Sequence, residues 1–562
     1  MKFSECEYKR PDMKEFKSQF NELLEKFDSA DSFELQDSAM EAINKLRGEF
    51  ESMGSIASIR HTINTLDQKY EEEQNFFDEN IPAYEGLVVK YYASLINSEH
   101  RKELEEKWGK QLFNIAELTI KTFSPEIVED LKEENELTTE YTKLVASAKI
   151  LFEGEERTLP QLTPFIMSTD RKTRKKADEA KYNFFKENES KFDEIYDRLV
   201  KVRTRIARKL GYRNFVELGY ARMIRTDYDA KMVEKFRKQV KDRIVPIATK
   251  LRTRQRKRLG LKKLCYYDEL LYSKDGNATP RSKDLTKSAK QMYGELSKET
   301  REFFEFMINN ELMDLVSKKG KAPGGYTAYI QKYKSPFIFS NFNGTLSDVD
   351  VLTHEAGHAF QAYSSKDYEI PEYLAPTMEA CEIHSMSMEF LTWPWMNLFF
   401  DGDADKYRFD HLSKALLFIP YGVTVDEFQH WVYENPEATP AQRKKAWREI
   451  EKKYLPHRNY EDNKFLENGG YWYQQLHIFR SPFYYIDYTL AQICAFQFWK
   501  RSMENRKEAW NDYLKLCKTG GSKSFLNLVE LANLRSPFEN GCLESVIGVI
   551  EDWLDNIDDT EL

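Results

Sequence analysis

Residues Ser347–Tyr363 read S-D-V-D-V-L-T-H-E-A-G-H-A-F-Q-A-Y. Val349, Leu352, Ala356, Ala359 and Phe360 recur at helical spacing. His354 and His358, four positions apart, therefore stack on one helix face about 5–6 Å from each other. Two imidazoles so placed can share one Zn²⁺ at about 2.0–2.1 Å each. Glu355 is rotated by about 100° from His354. It misses the metal and is left to act as base on a water that the metal activates. Ser347 followed by Asp350 reads as a capping box that sets the helix start. The plain alternative is two surface histidines flanking a solvated glutamate. The apolar surroundings and the β-rich run just before the helix argue for a buried site instead.

A catalytic zinc needs a third protein ligand and an open position. Gln361 and Ser364 stand where a metzincin would place its glycine and histidine, so the ligand must come from another element. Pro371 and Pro376 interrupt the chain, and a second helix starts near Thr377 with Glu379, Glu382 and Glu389 on one face. Folded back antiparallel, that face meets the histidines. Glu382, 24 residues after His358, is the central candidate on that face. Glu379 or Glu389 can accept the second ring N–H of a ligand histidine and so fix its tautomer. His384 falls on a different face and reads as structural. His61, His100, His411, His430 and His457 have no ligand spacing and read as ordinary.

On the N-terminal side, Lys321–Tyr326 (KAPGGY) precedes two β-rich runs, Tyr326–Tyr333 and Phe337–Phe342, closed by an Asn343-Gly344 turn. Attack of a metal-activated water on a carbonyl would also need donors aimed at the tetrahedral oxyanion, each worth about 2.7–4 kcal/mol. The segment Gly469–Tyr488 is the best source. Tyr485 and Tyr488 lie one turn apart after Pro482, which marks a helix start. Repeated tyrosine where phenylalanine would fill the same space points to a polar cavity.

The whole chain fits around this centre. Its 562 residues are 41% apolar and 31% charged, with a net charge of −9, 18 Pro and 23 Gly. That balance excludes a disordered or collagen-like chain, argues against a polyanion binder and favours long helices. Phe16, Phe20, Leu23, Leu24 and Phe27 repeat at helical spacing, as do Leu35, Met40, Ile43, Leu46 and Phe50. A hairpin is expected at Ile150–Leu159 and a helix cap at Ser168–Asp170. The basic run Lys250–Lys263 reads as a solvated helix face, not a nucleic-acid surface. Six scattered cysteines, no leader and no membrane-length apolar run predict a cytoplasmic protein without membrane partners.

HExGH followed by Glu382 and Glu389 resembles the thimet oligopeptidase/oligoendopeptidase F family of zinc metallopeptidases. Asn341–Thr345 (NFNGT) and KAPGGY resemble that family's substrate-facing segment. Leu151–Leu162 (LFEGEERTLPQL) and Ala207–Met223 (ARKLGYRNFVELGYARM) resemble its oligoendopeptidase F branch. One departure is Gln361, where the family often has a histidine. The resemblance implies a mainly α fold: a large two-lobed helical shell around a deep channel, with a small β-sheet beside the HExxH helix. It implies one Zn²⁺ per chain on His354, His358 and Glu382, with Glu355 as general base. His477, Tyr485 and Tyr488 would contact substrate and transition state. The His477–Tyr485 spacing is one residue shorter than in thimet oligopeptidase, which keeps Tyr484 as an alternative to Tyr485. The expected activity is endoproteolysis of short oligopeptides. Other readings are a metallocarboxypeptidase or dipeptidyl carboxypeptidase, and a non-catalytic helical peptide-binding protein. The expected division is an N-terminal helical lobe (1–190), a catalytic lobe (191–552) and an acidic tail (553–562). Oligomeric state is not legible.

Overall fold

The computed structural model describes residues 1–282 and 284–559, and it is mainly helical. The N-terminal helices start at side-chain caps. Asp12 accepts from the backbone N–H groups of Lys14 and Glu15 to begin helix Met13–Asp28. Ser32 and Asp67 do the same for Phe33–Ile63 and Gln68–Ile96. Phe16, Phe20, Leu24 and Phe27 form the buried stripe of the first helix. Phe16 meets Phe50 at 4.9 Å and Phe50 stacks on Tyr84 at 4.7 Å, so the three helices close on one aromatic core. Each such ring contributes about 1.5–3 kcal/mol by leaving water. Asp170 caps the helix Arg171–Glu187 as expected. The expected hairpin is β1 (Ile150–Phe152) paired antiparallel with β2 (Glu155–Arg157), turning at Glu153 and Gly154 with φ of 52° and 82°.

A second sheet has the order β3 (Met313–Val316), β5 (Ser335–Phe342), β4 (Tyr326–Ile330). β3 runs parallel to β5, and β4 runs antiparallel to it, from Tyr326 opposite Phe339 to Ile330 opposite Ser335. β5 is central and buried along Ser335–Ser340, whereas β4 is an edge. Tyr326 on β4 reaches across to the helix Phe33–Ile63, its hydroxyl 2.6 Å from Thr62 Oγ1. The KAPGGY and NFNGT segments hold each other. Asn341 Nδ2 donates to Ala322 O (2.8 Å) and Gly324 O (2.9 Å), and Lys321 turns inward to Asp314.

The basic run is only partly solvated. Lys250 and Arg254 pair with Asp555 at 2.7 and 3.0 Å, and Arg258 pairs with Asp559, which clasps the helix Cys542–Asp555. Residues 560–562 of the expected tail lie outside the described residues. Among the described residues no helix is long and apolar enough to cross a membrane.

Candidate metal centre

The helix carrying the histidines spans Ser347–Ser364, and the helix carrying the glutamates spans Met378–Leu391. Gly357 lets their backbones touch: a Cβ there would lie 2.7 Å from Ser385 Cα and 2.8 Å from His384 O. That contact delivers Glu382 to the histidine face. The expected capping box is absent, because distant partners take the carboxylate of Asp350. Leu346 precedes the helix without a side-chain cap. Asp348 accepts from the N–H groups of Asn343 (3.0 Å) and Gly344 (2.7 Å). Asp350 accepts from Tyr407 (2.7 Å) and Lys414 (3.0 Å). Gln361 is buried and donates to Ser365 Oγ and Leu374 O, bracing the loop between the two helices.

Glu382 Oε2 lies 3.3 Å from His354 Nε2 and 3.6 Å from His358 Nε2, and the three donor atoms all fall within 4.8 Å of one another. Atoms each about 2.0–2.2 Å from one tetrahedral zinc stand about 3.3–3.6 Å apart, so this donor set fits the ion. The protonation pattern fits as well. His354 Nδ1 lies 2.7 Å from Glu389 Oε1, and Glu389 Oε2 lies 2.7 Å from His411 Nε2. Trp393 donates to His411 Nδ1 at 3.2 Å, so the His411 proton sits on Nε2 and points at Glu389. With Nδ1 engaged by Glu389, Nε2 is the His354 atom that faces the cluster, where a bound metal would take the place of its proton. Burial alone would raise Glu389, yet the two rings hold its carboxyl down at about 2. Burial likewise works against Glu382, but His358 and His354 hold it well below the carboxylate range. Desolvation would lower His354, and Glu382 and Glu389 overcome it to raise the ring well above its ordinary value. The pocket calls for positive charge. Glu382 is held further by Tyr484 Oη on Oε1 (2.8 Å) and Ser385 Oγ on Oε2 (2.9 Å).

Glu355 is 7% exposed, and its Oε2 accepts from Thr327 Oγ1 of β4 at 2.8 Å. His477 lies in the short helix Leu476–Arg480, and Tyr485 begins the helix Tyr485–Thr519. The His477 ring is 4.9 Å from Tyr485, 5.7 Å from Tyr484 and 5.9 Å from Tyr488. Tyr421 donates to Gln475 Oε1 (2.8 Å) and Gln475 Nε2 faces His477 Nδ1 (2.9 Å). The His477 Nδ1 is thus an acceptor and its Nε2 carries the proton. Burial, aided by Arg480, lowers His477 to about 4, so it is a neutral donor at pH 7. Of the adjacent tyrosines, Tyr484 touches Glu382, while the Tyr485 ring packs against Phe418 and Tyr421 at 5.6 and 5.8 Å. The helix starts three residues after Pro482 because Phe483 takes φ 67°. Arg225 Nη2 donates to Phe483 O and to Asp487 Oδ1 (2.8 Å), and Gln429 Oε1 accepts from Phe483 N (2.9 Å). Glu379 sits behind the ligands, bonded to Thr377 (2.9 Å); burial and the neighbouring Asp487 raise its carboxyl, against Arg225. His384 is wholly buried.

His411, read from the sequence as ordinary, instead pairs with Glu389 beside the ligands, and Thr327 and Arg225 are functional residues the sequence does not single out. Each meets its partner from a distant element, and no local spacing announces it.

A mainly helical chain with an HExxH helix, a glutamate from the next helix and a flanking sheet defines a metal-dependent peptidase. Residues 3–123 match the peptidase M3 N-terminal domain and residues 165–546 match peptidase family M3. The chain belongs to peptidase family M3, as an oligoendopeptidase. It is 64% identical to Pz peptidase A, solved with an inhibitor, over the whole of both chains, with a TM-score of 0.95. A Bacillus anthracis structure described as an oligoendopeptidase F is 59% identical with a TM-score of 0.91, covering 100% of this chain and 99% of that one. The oligoendopeptidase F homolog of Borreliella burgdorferi is 24% identical over 449 residues, 76% of this chain and 74% of that protein.

Proposed function

We propose that His354, His358 and Glu382 hold one Zn²⁺ per chain and that this centre cleaves internal bonds of short peptides. The observation that carries the reading is one carboxylate oxygen, Glu382 Oε2, set at 3.3 and 3.6 Å from two imidazole nitrogens. Bound there, the ion would polarise the scissile carbonyl and acidify water. Glu355 takes the proton from the attacking water and passes it to the leaving amine. His477 and Tyr488, with Tyr485 or Tyr484 beside them, donate to the oxyanion. Tyr484 and Ser385 hold both oxygens of Glu382 in place. The substrate lies extended along the free edge of β4 and adds to the sheet as a further strand. On this reading residues 1–190 wall the far side of that edge, and residues 191–552 carry the chemistry.

Glu355→Gln is expected to keep one zinc per chain by metal analysis and to lose about 10²–10⁴-fold in kcat. An internally quenched peptide with an amidated C-terminus separates the activities: an endopeptidase cleaves it and a carboxypeptidase does not. Wild-type turnover by Glu355→Gln, or failure on every amidated peptide, would contradict the assignment.

A further inference from the structure

We propose that Thr327 is the positioning residue for Glu355, so that one strand holds both the substrate backbone and the base. This rests on the reading of Glu355 as general base. Thr327 sits on the edge strand, paired with Ile338 of β5. Side chains alternate along a strand, and Tyr326 faces the helix Phe33–Ile63 through Thr62. Thr327 therefore faces the opposite way, toward the histidine helix, where its Oγ1 lies 2.8 Å from Glu355 Oε2 and 3.0 Å from Glu355 O. A hydroxyl has one proton to give, and the charged oxygen is the stronger acceptor. Among the described residues Thr327 is the only side chain that hydrogen-bonds the Glu355 carboxylate.

The other carboxylate oxygen, Oε1, lies beside Gly325 of the same segment. A Cβ on Gly325 would stand 3.7 Å from Glu355 Oε1, an ordinary contact, and 3.3 Å from Val351 Cγ1, so the tight fit there is to Val351 and not to the base. Thr327 tethers Oε2, which leaves Oε1 as the oxygen for the water. The tether comes from residue 327, on the edge strand that the peptide pairs with. A substrate in register on β4 is thereby in register with the base. A base held within about 0.5 Å of its working position keeps its rate, whereas a misplacement of about 1 Å can cost 10²-fold.

Thr327→Val removes the hydroxyl at nearly constant shape. The expected result is a fall in kcat of about 10–100-fold with KM, zinc content and thermal midpoint unchanged, while Thr327→Ser keeps near wild-type kcat. If Val is not accommodated, Thr327→Ala carries the same comparison against Ser. In a Glu355→Gln background Thr327→Val should cost nothing further, because residues that act as a unit are not additive. The proposal is overturned if Thr327→Val keeps wild-type kcat, if Ser falls as far as Val, if KM rises instead of kcat falling, or if the double variant is additive. Glu355→Gln alone separates the two ideas. If it is inactive while Thr327→Val is fully active, only the positioning role fails. If it is fully active, the base assignment fails first.

Discussion

Glu389 shows how one buried carboxylate can organise a metal centre that it does not enter. It accepts from His354 on one oxygen and from His411 on the other, both at 2.7 Å. The pair of bonds engages His354 Nδ1 and sets its Nε2 toward the cluster. Glu389→Gln keeps the shape but places an N–H against one of these rings. Partners of this kind typically cost 10–100-fold in metal affinity when removed, so about that loss is expected in a chelator competition. Unchanged zinc affinity would mean that Glu389 does not orient the ligand. His411→Phe should lower affinity in the same direction by a smaller factor.

At the scale of elements, two close approaches set the geometry. Gly357 joins the histidine and glutamate helices at a backbone contact with no room for a methyl group. Gly357→Val should drive them apart and lower zinc stoichiometry well below one per chain, with helix content by circular dichroism retained. Gly219, in the helix Phe215–Arg222, plays the matching role under Phe483: a Cβ there would lie 2.4 Å from the Phe483 ring. Phe483 is an aromatic residue at φ 67°, a sparsely populated conformation held by Arg225 and Gln429. Gly219→Ala is therefore expected to displace Tyr484 and to lower kcat while zinc stays bound; loss of zinc with activity per zinc unchanged would contradict that assignment. The two helices of the centre were legible because their signals are local. The i, i+4 histidines and the glutamates on one face follow from a single helical period. The capping box fails because Asp350 answers to Tyr407 and Lys414, outside the helix. His411 reads as ordinary from the sequence for the same reason: its partner is on the glutamate helix, and nothing in its own neighbourhood points there. Of the Tyr484–Tyr485 pair, helical spacing favoured the second. The left-handed turn at Phe483, invisible in a periodic pattern, aims the first at Glu382.

Over the whole molecule, stability depends on buried ion pairs as well as on apolar packing. Glu269 joins Arg458 (2.8 Å) and Arg252 (3.4 Å), tying the helix Val245–Arg258 to the segment after Tyr454. Burial would raise its carboxyl, but Arg458, Arg252 and His457 hold it at about 2 against an ordinary 4.5. A depressed carboxyl contributes its stability above the unfolded value and loses it as pH falls through the folded one. About 3 kcal/mol should therefore disappear between pH 4.5 and 2. Glu269→Gln should flatten that part of the stability curve, and an identical acid slope in both proteins would remove the pair from the account. The central claim concerns one ion. Anomalous diffraction at the zinc edge should place a single peak per chain about 2.0–2.2 Å from His354 Nε2, His358 Nε2 and Glu382 Oε2. A peak elsewhere, or three side chains that do not share an ion in crystals grown with zinc, would contradict it.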